Sequence, residues 1–245
     1  MLTSISVQIE NDPINGGIRI KSFPTSGSYN HLSSIVISRK EPDRLSFDEI
    51  FKIDVVNISS LSFDLLDITT RSGSKYTYSI DLMSTNSVMP LESGLFEDIE
   101  FKFEGLFVGD FNQKYVAGTN FETDIKMNTN VEYVTTLSGR YPYRISNADT
   151  NYITGNSSGL FLRLTDDNKK FIPDYDHSFS NEVLYFLCNG SNKVLKTHDG
   201  QMWYVSIDAN PSKIYSNFYG MNAIQFSWTE IDDLPTFGML RMEGE

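Results

Sequence analysis

The first hundred residues consist of short segments in which apolar and polar side chains alternate, and each segment ends at a turn-forming sequence. About six such segments follow one another at a spacing of about 8–15 residues. Turn formers separate them, for example Asn15-Gly16-Gly17, Pro24 and Glu41-Pro42-Asp43. The last segment, Lys75–Leu82, places four apolar side chains on one face: Tyr76, Tyr78, Ile80 and Leu82. This pattern predicts an antiparallel β-sandwich and argues against βαβ units, which need a helix between successive strands.

The composition favours strands over helices along the whole chain. Alanine, the best helix former, occurs four times in 245 residues, whereas the chain contains 13 Tyr and 17 Phe. Aromatic side chains fit the pleated, half-buried surface of a sheet. We therefore predict an all-β protein in which an N-terminal sandwich is followed by a second β-sandwich or barrel-like domain. A polar junction between residues 85 and 105 places the predicted domains at 1–100 and 101–245.

The charge of the chain excludes several classes of partner. The sequence has 20 Lys+Arg against 32 Asp+Glu, a formal net charge of −12, and this charge is spread evenly. No basic face is available to neutralise phosphates, which argues against direct nucleic-acid binding. We find no basic amphipathic segment, no signal-peptide pattern and no run of about 18 apolar residues, so we expect no membrane association. The single cysteine, Cys188, excludes an internal disulfide.

Four stretches in the first hundred residues resemble strands and turns of fibronectin type III domains. They are Gly17–Pro24, Ser34–Arg39, Ser62–Asp67 and Ser72–Ile80. The resemblance covers about residues 4–100 and implies a sandwich in which Gly73 makes a tight turn. It also implies that one tyrosine packs inward while its hydroxyl finds a backbone partner. The sequence departs from the family in the second strand, where Ser22 or Phe23 replaces the usual tryptophan.

The rest of the chain also contains strand-like segments. Val131–Leu137 is rich in β-branched residues and predicts a strand. Lys193–Lys196 and Met202–Ile207 flank an Asp-Gly turn, which predicts a hairpin. Val183–Cys188 has the composition of a buried segment in which the thiol would be inert, and a short helix over Glu182–Leu187 is the alternative.

Two clusters contain side chains that could bind a cation. Asp174-Tyr175-Asp176-His177 offers two carboxylates and an imidazole, but no Cys or second His completes a zinc site. Asp166-Asp167-Asn168 offers oxygen ligands for Ca²⁺, yet it lacks the Gly and distal Glu of an EF-hand loop, and turn chemistry explains it equally well. No nucleophile motif, phosphate-binding loop or carboxylate pair stands out. We therefore predict no catalytic residue, no cofactor and no metal site.

A series of short patterns after residue 100 resembles tail and baseplate structural proteins of phages that infect Gram-positive bacteria, and of related phage-like particles. The patterns lie within residues 101–238 and include Phe103–Asp110, Leu137–Tyr143, Asn151–Phe161, Asp199–Val205 and Phe226–Ile231. Distal tail proteins belong to this group, and they form rings between the tail tube and the adsorption apparatus through β-domains. The resemblance implies a non-enzymatic virion protein that assembles into an oligomeric ring and connects tail components.

The same resemblance implies partners and a location. We expect contacts with other tail or baseplate proteins and with further copies of the chain, and no direct contact with nucleic acid or a membrane. The protein would be found in the virion, in the tail or baseplate, after assembly in the host cytoplasm. The sequence alone leaves the position along the tail and the copy number open.

The alternative function is that of a carbohydrate-binding module that contacts host cell-wall glycans. Exposed aromatic rings on a sandwich often stack on sugars, and the candidates for such stacking are Trp203, Tyr204 and Tyr215. A competing interpretation places Trp203 and Trp228 in the core on alternating strands, with Ile224 and Phe226 on the same face as Trp228. A hydrolase acting on the cell wall is a third possibility, but it lacks a recognisable nucleophile or acid pair.

Overall fold

The computed structural model describes residues 2–25, 31–135, 137, 140–164, 171–208, 210–215 and 221–233. The protein is all-β in character, as the sequence predicts. It divides into two compact units. Unit 1 consists of Met1–Val116, Val194–Trp203 and Asp233–Glu245, and unit 2 of Ala117–Lys193 and Tyr204–Asp232. Both units are discontinuous in sequence, whereas the predicted domains 1–100 and 101–245 are continuous, and that division stays a prediction.

Seven strands of unit 1 form two antiparallel sheets. The three-stranded sheet has the order β1-β2-β5 and contains β1 (Ile5–Asp12), β2 (Gly17–Pro24) and β5 (Phe63–Asp67). The four-stranded sheet has the order β4-β3-β6-β7 and contains β3 (Leu32–Lys40), β4 (Asp48–Asp54), β6 (Ser74–Ser84) and β7 (Glu92–Phe101). A short 3-10 helix, Ile58–Leu61, connects β4 to β5.

The period-2 pattern of β6 is confirmed. Tyr76, Tyr78, Ile80 and Leu82 are all buried, while the residues between them are partly exposed. Gly73 precedes the strand with φ of +78°, in the left-handed region that suits glycine at a tight turn. The hydroxyl of Tyr76 accepts a hydrogen bond of 2.7 Å from the backbone N–H of Arg71, as the sequence predicts for one inward tyrosine. In β2, Ser22 is buried and Phe23 is exposed, and the hydroxyl of Ser22 donates to the carbonyl of Leu61 at 2.8 Å.

The predicted hairpin consists of β14 (Lys193–Thr197) and β15 (Met202–Ile207), and unit 1 includes it as far as Trp203. Strand β14 also pairs antiparallel with β8 (Leu106–Gly109), which is followed by β9 (Lys114–Ala117). Between β14 and β15, the N–H of Thr197 donates to the carbonyl of Gln201 at 3.0 Å. Gly200 occupies the turn with φ of +88°. The hairpin prediction is therefore confirmed.

Unit 2 is built around two long strands. Its strand order is β10-β11-β17-β15, where β10 is Thr119–Val134, β11 is Tyr143–Leu160 and β17 is Asn222–Asp232. Strand β16 (Ser212–Tyr215) also pairs with β17, and two short strands, β12 (Arg163–Leu164) and β13 (Phe171–Ile172), pair with each other. Ile224, Phe226 and Trp228 lie on the buried face of β17, as predicted.

The segment around Cys188 forms a helix, and the sequence prediction of a buried thiol is wrong. Helix α1 spans Ser178–Leu187, which confirms the helical alternative. Consecutive residues of a helix point in different directions, so Val183 and Phe186 are buried while Tyr185 is exposed. Cys188 lies just after the helix and is exposed. An apolar composition alone therefore did not indicate which side of the chain faces the core.

Candidate assembly surfaces

One end of the four-stranded sheet of unit 1 carries two loops with apolar side chains. Leu32 pairs with Ser84, Ser34 with Asp54, and Leu82 with Glu92, so β4 and β6 end where β3 and β7 begin. The loops 55–62 and 85–91 therefore lie at the same end of this sheet. Loops at one end of a sandwich are a common place for binding because a rigid scaffold positions them.

These two loops expose large apolar side chains and contain no charged residue. Five side chains are between 49% and 94% exposed: Val56, Ile58, Val88, Met89 and Leu91. We call this surface the loop face. Contiguous exposed apolar side chains are typical of a protein–protein contact, since burying them in a partner is favourable.

A two-stranded ribbon extends from the sheet of unit 2. Strand β11 pairs with β17 only from Thr154 to Leu160, whereas its pairing with β10 continues to the pair of Val134 and Tyr143. Residues 127–134 and 143–153 thus pair only with each other among the strands that the structure describes. A ribbon of two strands is marginally stable in water by itself, and a contact on its surface would stabilise it.

The far end of this ribbon is rich in exposed apolar side chains. We define the ribbon tip by five residues, each more than two-fifths exposed: Val134, Leu137, Tyr141, Tyr143 and Ile145. Tyrosine is favoured in protein interfaces because its large ring buries much apolar area at a small cost in conformational entropy. The ribbon tip therefore has the side chains of an interface.

A buried network in unit 1 centres on Asp67, which is fully buried. Its carboxylate accepts hydrogen bonds from Arg39 Nη1 at 2.7 Å, from the hydroxyl of Tyr78 at 2.9 Å, and from both the N–H and the hydroxyl of Thr69. Burial alone would raise the pKa of Asp67, but the charge of Arg39 and these hydrogen bonds lower it below its ordinary value. The carboxylate is thus ionised and held in place, and its role is structural.

Lys196 lies in the same unit and is fully buried. Its Nζ donates to the carbonyls of Ile68 at 2.7 Å and Thr70 at 3.0 Å, and three phenylalanine rings surround it at 4.6 to 6.0 Å: Phe101, Phe103 and Phe107. Burial lowers the pKa of Lys196 to about 7. These two hydrogen bonds connect β14 to the segment that follows β5. The neighbouring sequence does not mark this lysine as structural, because its hydrogen-bond partners lie more than a hundred residues away.

The predicted acidic cluster before α1 does not converge on one point. Asp174 accepts hydrogen bonds from the N–H groups of Phe179 and Ser180, at the start of the helix. Asp176 accepts from the N–H of Ser178, while His177 Nδ1 lies 3.0 Å from the amide of Asn222. No group of three or more His, Cys, Asp or Glu side chains with the arrangement of a metal site occurs within the described ranges. The other predicted cluster, 166–168, lies outside the described residues.

The predicted glycan-stacking residues are placed as follows. Trp203 is 5% exposed and Tyr204 is 3% exposed, and Trp228 is fully buried, so the prediction that both tryptophans are core residues is confirmed. The N–H of the Trp228 indole donates to the hydroxyl of Ser157 at 2.9 Å. Tyr215 belongs to β16, but its side chain lies outside what the structure describes. Stacking of a sugar on these rings stays a prediction, and it would require Trp203 and Tyr204 to leave the core.

A cleft of about 170 Å³ in unit 1 is lined by Asp64, Leu66, Asp110 and Lys114, among others. The carboxylate of Asp110 accepts from the N–H groups of Asn112 at 2.9 Å and Gln113 at 2.8 Å, which closes the turn between β8 and β9. This carboxylate therefore has a local structural role. As to membranes, the described residues include no helix with the length and apolar character needed to cross a bilayer.

Comparisons with known proteins find chains of gene transfer agent (GTA) particles among the solved structures that match. No protein-family model matches the sequence, and no curated protein matches it. A chain from the virion of a native gene transfer agent (GTA) particle is 12% identical with a TM-score of 0.32, over 52% of this chain and 91% of that chain. A chain from the tail of an empty GTA particle with C6 symmetry is 17% identical with a TM-score of 0.33, over 54% of this chain and 93% of that chain. Each alignment takes in about half of this chain.

Proposed function

We propose that this chain is a non-enzymatic structural protein of a bacteriophage or phage-like tail or baseplate, where it assembles into an oligomeric ring and connects tail components. The observation that carries the proposal is the presence of two separate apolar surfaces, the loop face on unit 1 and the ribbon tip on unit 2. A ring closed by head-to-tail contacts needs two different surfaces on each copy. The loop face and the ribbon tip meet that requirement.

We infer that residues 4–100 form a sandwich of the fibronectin type III kind. The seven strands in the orders β1-β2-β5 and β4-β3-β6-β7 support this inference. So does Tyr76, which lies near the start of β6 and bonds the backbone five residues upstream, the arrangement called a tyrosine corner in related sandwiches. Such a sandwich supplies the rigid scaffold on which the loop face is mounted.

The proposed partners are other tail or baseplate proteins and further copies of this chain, in a virion assembled in the host cytoplasm. The net charge of −12 supports this choice, because an acidic surface is repelled by the phosphates of DNA and by anionic lipids. Protein partners that cover the loop face and the ribbon tip would instead gain from burying apolar side chains.

The proposed location is tested on intact particles. Particles would be purified from the source of the sequence, and their proteins identified by mass spectrometry, with cryo-electron microscopy to locate the chain. We expect the protein in the tail or baseplate at several copies arranged in a ring. Absence from purified particles, or a single copy outside any ring, would contradict the proposal.

The two surfaces are tested with paired variants of the full chain. Val88→Ser/Met89→Ser alters the loop face, Tyr141→Ser/Tyr143→Ser alters the ribbon tip, and Tyr185→Ser is the control because this exposed tyrosine belongs to neither surface. Light scattering should show that each double variant loses the ring. An equimolar mixture of the two should form larger assemblies than either variant alone, because one intact loop face can still meet one intact tip. Rings that survive both double variants would refute the assignment.

A further inference from the structure

The outer edge of β10 has the properties of a strand that pairs with another strand. In the described part of the chain, β10 ends the strand order β10-β11-β17, so its other side has no strand next to it. The strand is 16 residues long, contains no proline and carries four charged residues: Glu122, Asp124, Lys126 and Glu132. Proteins often protect such an edge with prolines or with a short strand, because its free N–H and C=O groups would otherwise bind another chain.

We propose that β10 pairs antiparallel with β10 of a second copy of this chain, about a twofold axis at Thr129. This contact deepens the proposed assembly role and rests on it, since it names a second copy as one partner of the ribbon. It uses the edge of β10, whereas the proposed ring uses the loop face and the ribbon tip. The pairing would join copies in twos and extend the ribbon into a four-stranded sheet.

The register is chosen by the side chains that it brings together. With Thr129 opposite Thr129, the residue numbers of each pair add up to 258, and each pair lies on one face of the sheet. Ile125 then faces Tyr133 of the second copy, and Met127 faces Val131. Ile125, Met127 and Tyr133 are each more than two-fifths exposed in the single chain. These two pairs cover apolar side chains with apolar side chains, while Val134 faces Asp124.

The charges select the same register. Lys126 lies opposite Glu132 of the second copy, twice in each pair of chains, and both side chains are exposed in the single chain. An axis at Met127 would place Glu122 opposite Glu132, and an axis at Lys126 would place two lysines opposite each other. Like charges directly opposite are unfavourable. Of these three registers, the one at Thr129 pairs opposite charges and avoids like ones.

Charge reversal tests the contact by sedimentation over a range of concentrations, in the full chain that also carries Val88→Ser/Met89→Ser so that the proposed ring contact is absent. Lys126→Glu and Glu132→Lys should each weaken the dimer about tenfold, because each places two like-charge pairs in the contact. The double variant should regain the wild-type dimer, since reversed charges again attract. Lys52→Glu, the same change on an exposed residue of unit 1, is the control and should leave the dimer unchanged.

The rescue can arise only between chains. Within one strand, Lys126 and Glu132 are six residues apart, which is about 20 Å in a β-strand, too far for an ion pair. Recovery in the double variant would therefore report a contact between two copies. A wild-type protein that stays monomeric up to about 100 µM would overturn the proposal, as would a dimer that ignores both reversals. A strand partner found only among other particle proteins would also overturn it.

A cysteine placed on the axis gives an independent measurement. In the Cys188→Ser background, Thr129→Cys should form an interchain disulfide on mild oxidation, since directly opposite residues have Cα atoms about 4.5–5.5 Å apart. Thr123→Cys on the same strand is the control, because the two copies of residue 123 would lie about 40 Å apart in this register. Equal cross-linking at both positions would refute the register.

The outcomes separate this contact from the proposed function. A dimer that responds as expected, in a protein that is absent from particles, would support the contact and refute the tail assignment. A protein that is found in the particle but whose dimer ignores both charge reversals would refute the contact and leave the tail assignment standing.

Discussion

The substitution Lys196→Met tests whether a buried amine loses its proton when the chain folds. Methionine keeps the long apolar stem but cannot be charged. Burial is the main cause that lowers the pKa of Lys196 to about 7, from an ordinary value of 10.5; the charge of Arg39 acts in the same direction and that of Asp67 opposes it. Because the folded-state pKa is the lower one, the unfolded chain binds more protons between pH 7 and 10.5. The wild-type protein should therefore gain stability as the pH rises through that window.

The size of this effect follows from the two pKa values. Integrating proton binding between pH 6 and pH 9 gives a gain of roughly 2–3 kcal/mol for the wild type relative to the variant, which has no amine to titrate. At pH 6 the variant avoids burying a charge but leaves the carbonyls of Ile68 and Thr70 without their donor, at a cost of about 1–3 kcal/mol each. The cost of leaving the two carbonyls without a donor is the same at every pH, so it cancels from the predicted change in stability between pH 6 and pH 9.

The assay is urea denaturation at pH 6, 7, 8 and 9, which gives the free energy of unfolding at each pH. The stability of the wild type relative to Lys196→Met should rise by roughly 2–3 kcal/mol from pH 6 to pH 9. Lys75→Met, at an exposed position of β6, is the control and should follow the wild type. A difference that stays constant would show that the amine keeps its proton in the fold, held by the two carbonyls and the phenylalanine rings.

Three further predictions concern the stability and reactivity of the chain. Glu92 accepts four hydrogen bonds from the N-terminal segment, which overcome burial and lower its pKa to about 2, so Glu92→Gln should cost about 1–2 kcal/mol in denaturation at pH 7. That loss should fade as the pH falls from 4.5 towards 2, and a loss that persists there would contradict the linkage. Gly155→Ala should cost about 2–3 kcal/mol, because a Cβ would lie 2.5 Å from the ring of Trp228, whereas Gly118→Ala meets no atom within 4 Å and should be nearly neutral. Cys188 should react with a maleimide in the native protein as fast as in urea, and strong protection would contradict its exposed position.

The parts of the fold that sequence analysis predicted are those whose cause is local. The alternation in Lys75–Leu82 and the Asp-Gly turn of the β14–β15 hairpin depend on neighbouring residues, so the printed sequence contains the whole signal. The same holds for the short helix, whose existence was predicted as an alternative. Cys188 was misplaced because a short apolar run does not distinguish a buried strand from the exposed end of a helix.

The candidate surfaces depend on distant residues and could not be predicted in the same way. The sequence predicts a strand over Val131–Leu137, but β10 extends over Thr119–Val134. Much of β10 and β11 is polar and solvated on both faces, so no alternation marks the ribbon. The hydrogen-bond networks of Asp67 and Lys196 could not be predicted for another reason, which is that Arg39, Asp67 and Lys196 are far apart in sequence. The sequence offers two signals of buried cations: Arg39 at the end of the third strand, and Lys193 and Lys196 on either side of two apolar residues.

The β14–β15 hairpin affects how early unit 1 can finish folding during synthesis on the ribosome. Unit 1 takes in Val194–Trp203, so its N-terminal strands emerge long before the lysine that fills the space among Phe101, Phe103 and Phe107. Those rings must stay without their final neighbour while the 88 residues between Phe107 and Lys196 are made. A fragment that stops after residue 116 would have the same gap permanently. Expression of the N-terminal sandwich therefore calls for the hairpin to be supplied with it, as a linked segment or as a separate peptide.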